Sequence, residues 1–232
     1  MFTASRIVPG TIAILALTAL AGVARADRTF QTGGWAAANW ETVQYGAGTV
    51  TGVRDGSGGN PDAAWQVTTT VSPSGGPLAG YQRFRGTNLY DPAVDGAVTT
   101  IDFSIEARWI SSSISNSGHA VSLAIRQDGI DYAAFPTTPT GFTGNWVTIS
   151  VTGMTASDFE RMDGLPGTPD FSASGAPFAY GFQTLVFGTT PNNSNVVNYD
   201  NLSMTVYSVP APGAVALAGL GGLVAARRRR SA

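Results

Sequence analysis

Ile101-Asp102-Phe103-Ser104-Ile105-Glu106-Ala107-Arg108-Trp109 alternates apolar and polar side chains without a break. Successive side chains of an extended chain point to opposite faces. Ile101, Phe103, Ile105, Ala107 and Trp109 therefore belong to a dry face, and Asp102, Ser104, Glu106 and Arg108 to a wet one. The same parity recurs on both sides of this stretch. Trp65, Val67 and Val71 share a face, as do Val121, Leu123 and Ile125, then Val147, Ile149 and Val151, and finally Leu202, Met204 and Val206. One wet and one dry face per strand is the mark of antiparallel sheets. The chain holds 29 glycines and 13 prolines, which punctuate short runs rich in Val, Ile, Thr, Phe, Tyr and Trp. About ten such strands predict an all-β fold, an antiparallel two-sheet β-sandwich with jelly-roll winding as the first choice. The best helical candidate inside it is Ala156 to Met162, with Thr155 or Ser157 as a cap.

The ends of the 232-residue chain read differently from its middle. Met1 to Arg6 is followed by the apolar run Ile12 to Leu20 and then by Ala24-Arg25-Ala26, the three parts of a secretory signal peptide. Cleavage after Ala26 leaves Asp27 first, so residues 1–26 are assigned to a signal peptide and 27–208 to an exported domain. All 13 basic residues are arginines. Six lie in the leader and tail, so the middle holds seven against all 15 carboxylates, a formal charge of −8. So acidic a domain repels phosphate backbones, which excludes nucleic acid as a partner. The absence of cysteine excludes a disulfide framework, a thiolate zinc site and a cysteine nucleophile.

Residues 209–232 form a tail: Val209-Pro210-Ala211-Pro212-Gly213, an apolar segment from Ala214 to Ala226, and Arg227, Arg228, Arg229 and Arg230. Thirteen helical residues span roughly 20 Å against a hydrocarbon core of ~30 Å. The segment is short for a permanent transmembrane helix. With the arginines held on the cytoplasmic side it serves to keep a translocated chain at the membrane transiently. A Pro-x-Pro motif, a short Gly/Ala/Leu helix and an Arg cluster together resemble the PEP-CTERM sorting signal of Gram-negative bacteria. Ala211 stands where that signal has Glu. The resemblance implies signal peptidase and an exosortase-type membrane protease as partners, with delivery to the cell surface or extracellular matrix. The closing strand Asn198 to Val206 and the Gly58-Gly59-Asn60-Pro61 loop are similar to features of jelly-roll carbohydrate-binding modules and lectin-like sandwiches, which supports the fold.

The stock of reactive groups is thin. His119 is the single histidine, and its parity with Val121, Leu123 and Ile125 makes it a core or rim residue. Asp102 and Glu106 share a strand face, but four residues of strand separate them by roughly 13 Å, beyond the ~5 to 9.5 Å of glycoside hydrolysis. Gly56 to Pro61 lacks the Lys-Ser/Thr ending of a phosphate loop. No enzyme is predicted. Sugar binding needs an exposed aromatic flanked by polar groups. Trp146 on the outer face with Thr148 and Ser150 is the candidate, with Tyr90 and Tyr132, and Tyr81 beside them, as further platform residues. The one cofactor the sequence offers is a structural calcium ion. Asp200 has the parity of Leu202, Met204 and Val206, so its carboxylate is expected at the interior or its rim. There it must accept N–H bonds, pair with an arginine or bind a hard cation. The resemblance to jelly-roll modules implies calcium at this Asp, with Asp55, Asn60 or Asp62 as added ligands. A strand bulge would instead turn Asp200 outward. The expected function is a non-catalytic structural or adhesive role at the cell surface. The alternative is a carbohydrate-binding module contacting extracellular polysaccharide, and a polysaccharide-active enzyme is a distant third.

Overall fold

A computed structural model describes residues 27–32, 34–86, 90–113, 118–135, 144–187 and 191–209. Twelve strands run in chain order: β1 (Arg28–Thr32), β2 (Trp40–Gly46), β3 (Gly48–Asp55), β4 (Ala64–Val71), β5 (Leu78–Phe84), β6 (Ala97–Ser112), β7 (Gly118–Gln127), β8 (Ile130–Ala134), β9 (Val147–Met154), β10 (Phe159–Arg161), β11 (Phe178–Phe187) and β12 (Ser194–Val209). One short helix, α1 (Pro92–Asp95), is capped by the Asp91 carboxylate, which accepts from Ala93 N. The first sheet has the order β3-β4-β12-β6-β9, with β1 also on β12; the second has the order β10-β8-β7-β11-β5-β2. Every pairing in both is antiparallel. The molecule is the expected all-β two-sheet sandwich.

Parity places most of the core as read, while Trp109, Val147 and Val151, assigned to the same inner faces, are only half-buried. Ile101, Phe103, Ile105 and Ala107 are buried, and so are Trp65, Val67, Val71, Val121, Leu123, Ile125, Ile149, Leu202, Met204 and Val206. The inner faces meet in an aromatic cluster: Trp35 lies 4.8 Å from Trp40 and 6.1 Å from Trp65 between ring centroids, and Phe182 lies 4.7 Å from Tyr199. Large rings dominate the area removed from water, and each such pair adds about 0.5–1.5 kcal/mol beyond it.

Two expectations are corrected. Ala156 to Met162 is not a helix: one 3-10 turn, Ala156–Asp158, is held by the Asp158 carboxylate accepting from Thr155 N and Oγ1, and β10 follows. Phe159 is buried opposite Ala134, so pairing to β8 overrides a marginal helical pattern. The sandwich also runs one residue further than 208, because Val209 closes β12 opposite Ala97. The signal-peptide assignment, with Ala24 and Ala26, and the tail from Pro210 onward lie outside the described residues. Among the described residues no helix is long and apolar enough to cross a membrane.

Candidate functional site

Three of the four residues expected to hold calcium, Asp200, Asn60 and Asp55, gather at one place on the first sheet. The register of β12 against β6 slips between Asp200 and Ser203, and Asn201 takes a positive φ of 49°. This bulge breaks the parity, so Asp200 stands across from Glu106 and does not join the set of Leu202, Met204 and Val206. The loop after β3 folds onto it. A Cβ on Gly58 would lie 1.9 Å from Asp55 Oδ2 and 2.3 Å from Asn198 Nδ2, so only glycine lets the loop come this close. Asp200 is 2 % exposed and its oxygens face donors: Oδ1 accepts from Trp35 Nε1 at 3.0 Å and from Asn201 N at 2.8 Å, and Oδ2 from Asn60 N. Asp55 accepts from Ser57 N and Asn198 Nδ2, and Glu106 from the amides of Asn60 and Asn201. Asp62 is exposed at the loop's end. Calcium needs six to eight oxygens, whereas here the carboxylates meet N–H groups. Among the described residues no three of His, Asp and Glu stand where they could hold a metal ion. The donor set does not fit a cation; it satisfies a buried carboxylate by hydrogen bonding.

The expected aromatic platform does not form. Tyr90 is fully buried, its hydroxyl donating to Gly96 O and its ring packed on Phe178. Tyr132 pairs opposite Ile125 on the inner face and is 7 % exposed, and Tyr81 is fully buried. Trp146 alone is partly exposed, with the Arg108 guanidinium stacked 4.9 Å over its ring. His119 is 2 % exposed, with its Nε2 against the Tyr199 hydroxyl. Burial lowers its pKa to about 4, so it is neutral at ordinary pH.

A different site lies on the outer face of the second sheet. One row crosses all six strands in register: Glu41, Arg83, Gly181, Ala124, Ala133 and Glu160. A parallel row holds Val43, Tyr81, Gln183 and Ser122. The Tyr45 hydroxyl on β2 donates to Asp131 Oδ2 on β8 at 2.7 Å. In a flat sheet those strands stand four spacings, roughly 19 Å, apart, more than the two side chains can reach. The twist and coil of the sheet therefore bring its opposite corners together, and this face is concave. Arg126 and Arg83 also reach Asp131, at 3.0 and 3.5 Å, and Glu41 pairs with Arg83 and Arg85. Burial would raise the Glu41 pKa, but hydrogen bonds from Arg85 and Arg83 outweigh it and hold the carboxyl below its usual range. Burial raises Asp131, opposed by Tyr45 and Arg83, and raises the Tyr45 hydroxyl together with its bond to Asp131.

Beside this network runs a groove of about 230 Å³, lined by Ala133, Phe135, Glu160, Met162, Gln183 and Leu185 among others. Phe135 is 74 % exposed at its rim, and Ser122 Oγ donates to Gln183 Oε1 on its floor. The groove is thus half apolar, with amide, guanidinium and carboxylate groups along it, and among the described residues Glu160 is the one carboxylate that lines it. Sequence reading missed this site because its residues come from six separated strands. The readable signal was the alternation Glu41, Val43, Tyr45 and Tyr81, Arg83, which puts aromatic and charged side chains on an outer face.

No protein-family model matches the chain, and no curated protein sequence matches it. Among solved structures, it is similar to the family 11 carbohydrate-binding module from Clostridium thermocellum in complex with a β-1,3-1,4-mixed-linked tetrasaccharide. The identity is 13 %, over 76 % of this chain and 94 % of that one, with a TM-score of 0.44. It is also similar to the CBM27-1 module of Caldicellulosiruptor saccharolyticus in complex with mannohexaose, at 10 % identity over 66 % and 81 % of the two chains and a TM-score of 0.37. The CBM22-1 xylan-binding domain from Paenibacillus barcinonensis matches at 9 % over 78 % and 93 %, with a TM-score of 0.36. At such values both the architecture and the ligand rest on this chain's own residues.

Proposed function

We propose that this chain is an exported, non-catalytic polysaccharide-binding domain whose site is the concave face of the second sheet. The observation that carries the reading is the groove between Phe135, Glu160 and Met162 on one side and Gln183 and Leu185 on the other. A sugar ring has apolar faces and hydroxyl edges, so it matches a cleft whose walls alternate apolar and hydrogen-bonding groups. Phe135 offers a ring to stack on, and Gln183, Arg161 and Glu160 offer partners for hydroxyls. Hydrolysis of a glycoside uses two carboxyl groups; among the described residues Glu160 is the one carboxylate lining this groove, which suits it to binding.

The leader and tail support export, with residues 1–26 removed by signal peptidase and the Pro-x-Pro tail read by an exosortase-type protease at the membrane. On this reading the domain holds the cell surface or matrix to polysaccharide, so the adhesive role and glycan binding are one function. Electrophoresis of the chain through native gels containing soluble mixed-linkage β-glucan, xylan or mannan tests it. At least one polymer should retard the protein, and Gln183→Ala should restore most of the mobility. Equal mobility in all three gels would count against the reading.

A further inference from the structure

Beneath the Tyr45 to Asp131 bond lies a polar atom with no partner among the described residues. Tyr81 is fully buried, its ring lies against Ala124 and Ala133, and Val43, Tyr45 and Met162 pack over that cluster. The ring crosses Gly181, where a Cβ would come within 2.6 Å of Tyr81 Cε2, so glycine alone allows it to lie flat across β11. Among the described residues the Tyr81 hydroxyl has no hydrogen-bond partner. Buried polar atoms are nearly always paired, and each exception calls for an explanation.

The covering layer is loosely tied. Tyr45 sits on the edge strand β2, next to Gly46 and half-buried, and its hydroxyl is fixed to the far strand by a single hydrogen bond. Asp131 is held in place from the other side by Arg126 and Arg83. If Tyr45 swings away, Asp131 keeps its position and presents an oxygen, and the Tyr81 ring becomes a flat floor ending in a free hydroxyl. That floor is continuous with the groove, since Ala133 belongs to both. The charges around it are already used against each other, Glu41 with Arg83 and Arg85, Asp131 with Arg83 and Arg126, so the fitting ligand is uncharged.

We propose that Tyr45 and Asp131 form a clasp over a closed subsite for one neutral, polyhydroxylated ring. The ring stacks on Tyr81, one of its hydroxyls donates to Asp131 in place of Tyr45, and another pairs with the Tyr81 hydroxyl. The inference rests on the polysaccharide reading above and names a second position within it.

The test compares the full wild-type chain with Tyr45→Phe and Tyr81→Phe in gels of mixed-linkage β-glucan, xylan and mannan, alongside thermal melts without polymer. Tyr45→Phe removes the clasp bond and keeps the ring, so the retarding polymer should bind at least about tenfold more tightly, the range of a hydrogen bond to a charged group. Tyr81→Phe should bind about three- to tenfold more weakly, while its melting temperature stays the same or rises, because the hydroxyl it loses has no partner. Wild-type binding by Tyr81→Phe, a lowered melt for that variant, or weaker binding by Tyr45→Phe would overturn the subsite and leave polysaccharide binding standing. If neither wild type nor Tyr45→Phe binds any of the three polymers, both readings fall.

Discussion

Acidification from pH 7 to pH 5 should destabilise this domain through a single residue. His119 is the only histidine, buried at the start of β7 against Tyr199 and Trp109, and burial lowers its pKa from 6.5 to about 4. The unfolded chain therefore binds a proton between pH 6.5 and 4 that the folded chain refuses. Stability is complete above the unfolded pKa and falls as pH drops toward the folded one. With those two values the loss between pH 7 and pH 5 is about 2 kcal/mol. The carboxylates with lowered pKa, Glu41, Asp55, Asp158, Asp163 and Asp170, act mainly below that window. Asp131, whose pKa is raised, acts in the opposite sense. Comparison with His119→Gln cancels both contributions. Urea midpoints of residues 27–209 at the two pH values should show the wild type losing about 2 kcal/mol more than the variant, and the histidine ring resonances should not titrate near pH 6.5. Equal losses in the two proteins, or a ring titrating near 6.5, would refute the burial argument.

Further outcomes follow from the same geometry. EDTA should leave the melt of residues 27–209 unchanged, because Asp200 is satisfied by N–H donors; a drop that calcium reverses would restore the cation. Asp200→Ala should cost about 3 kcal/mol in urea unfolding, since it strands the Trp35 indole and the Asn60 and Asn201 amides; a loss below half of that would mean water replaces the carboxylate. Removal of residues 210–232 should change the chain's location and leave its melt alone, and a large loss of stability would make the tail part of the fold. Mass spectrometry of the exported form should find Asp27 first, and a start at Met1 would contradict the signal-peptide reading.

How far the sequence reached depended on the kind of signal. Alternation is local, so the inward sets of β4, β6, β7, β9 and β12 were legible, and so was the burial of His119. The bulge at Asn201 entered only as an alternative, because one extra residue inverts parity without changing composition, and the first reading placed Asp200 with the wrong neighbours. Tyr90 and Tyr132 were assigned outward although Tyr132 lies opposite Ile125, a relation that only the β7 to β8 register reveals. The concave face was harder still. Glu41, Tyr45, Arg83, Asp131 and Gln183 become neighbours only through sheet order and coil, neither of which any single stretch of sequence records.

On this reading polysaccharide binds on the concave face of the second sheet and not at Trp146 beside the first. Dissociation constants for the retarding polymer, measured for wild type, Phe135→Ala and Trp146→Ala, test it most directly. Phe135→Ala should bind at least tenfold more weakly, as loss of one aromatic stack is worth about 1.4 kcal/mol or more, and Trp146→Ala should bind as the wild type does. Binding that survives Phe135→Ala and is lost in Trp146→Ala would contradict it.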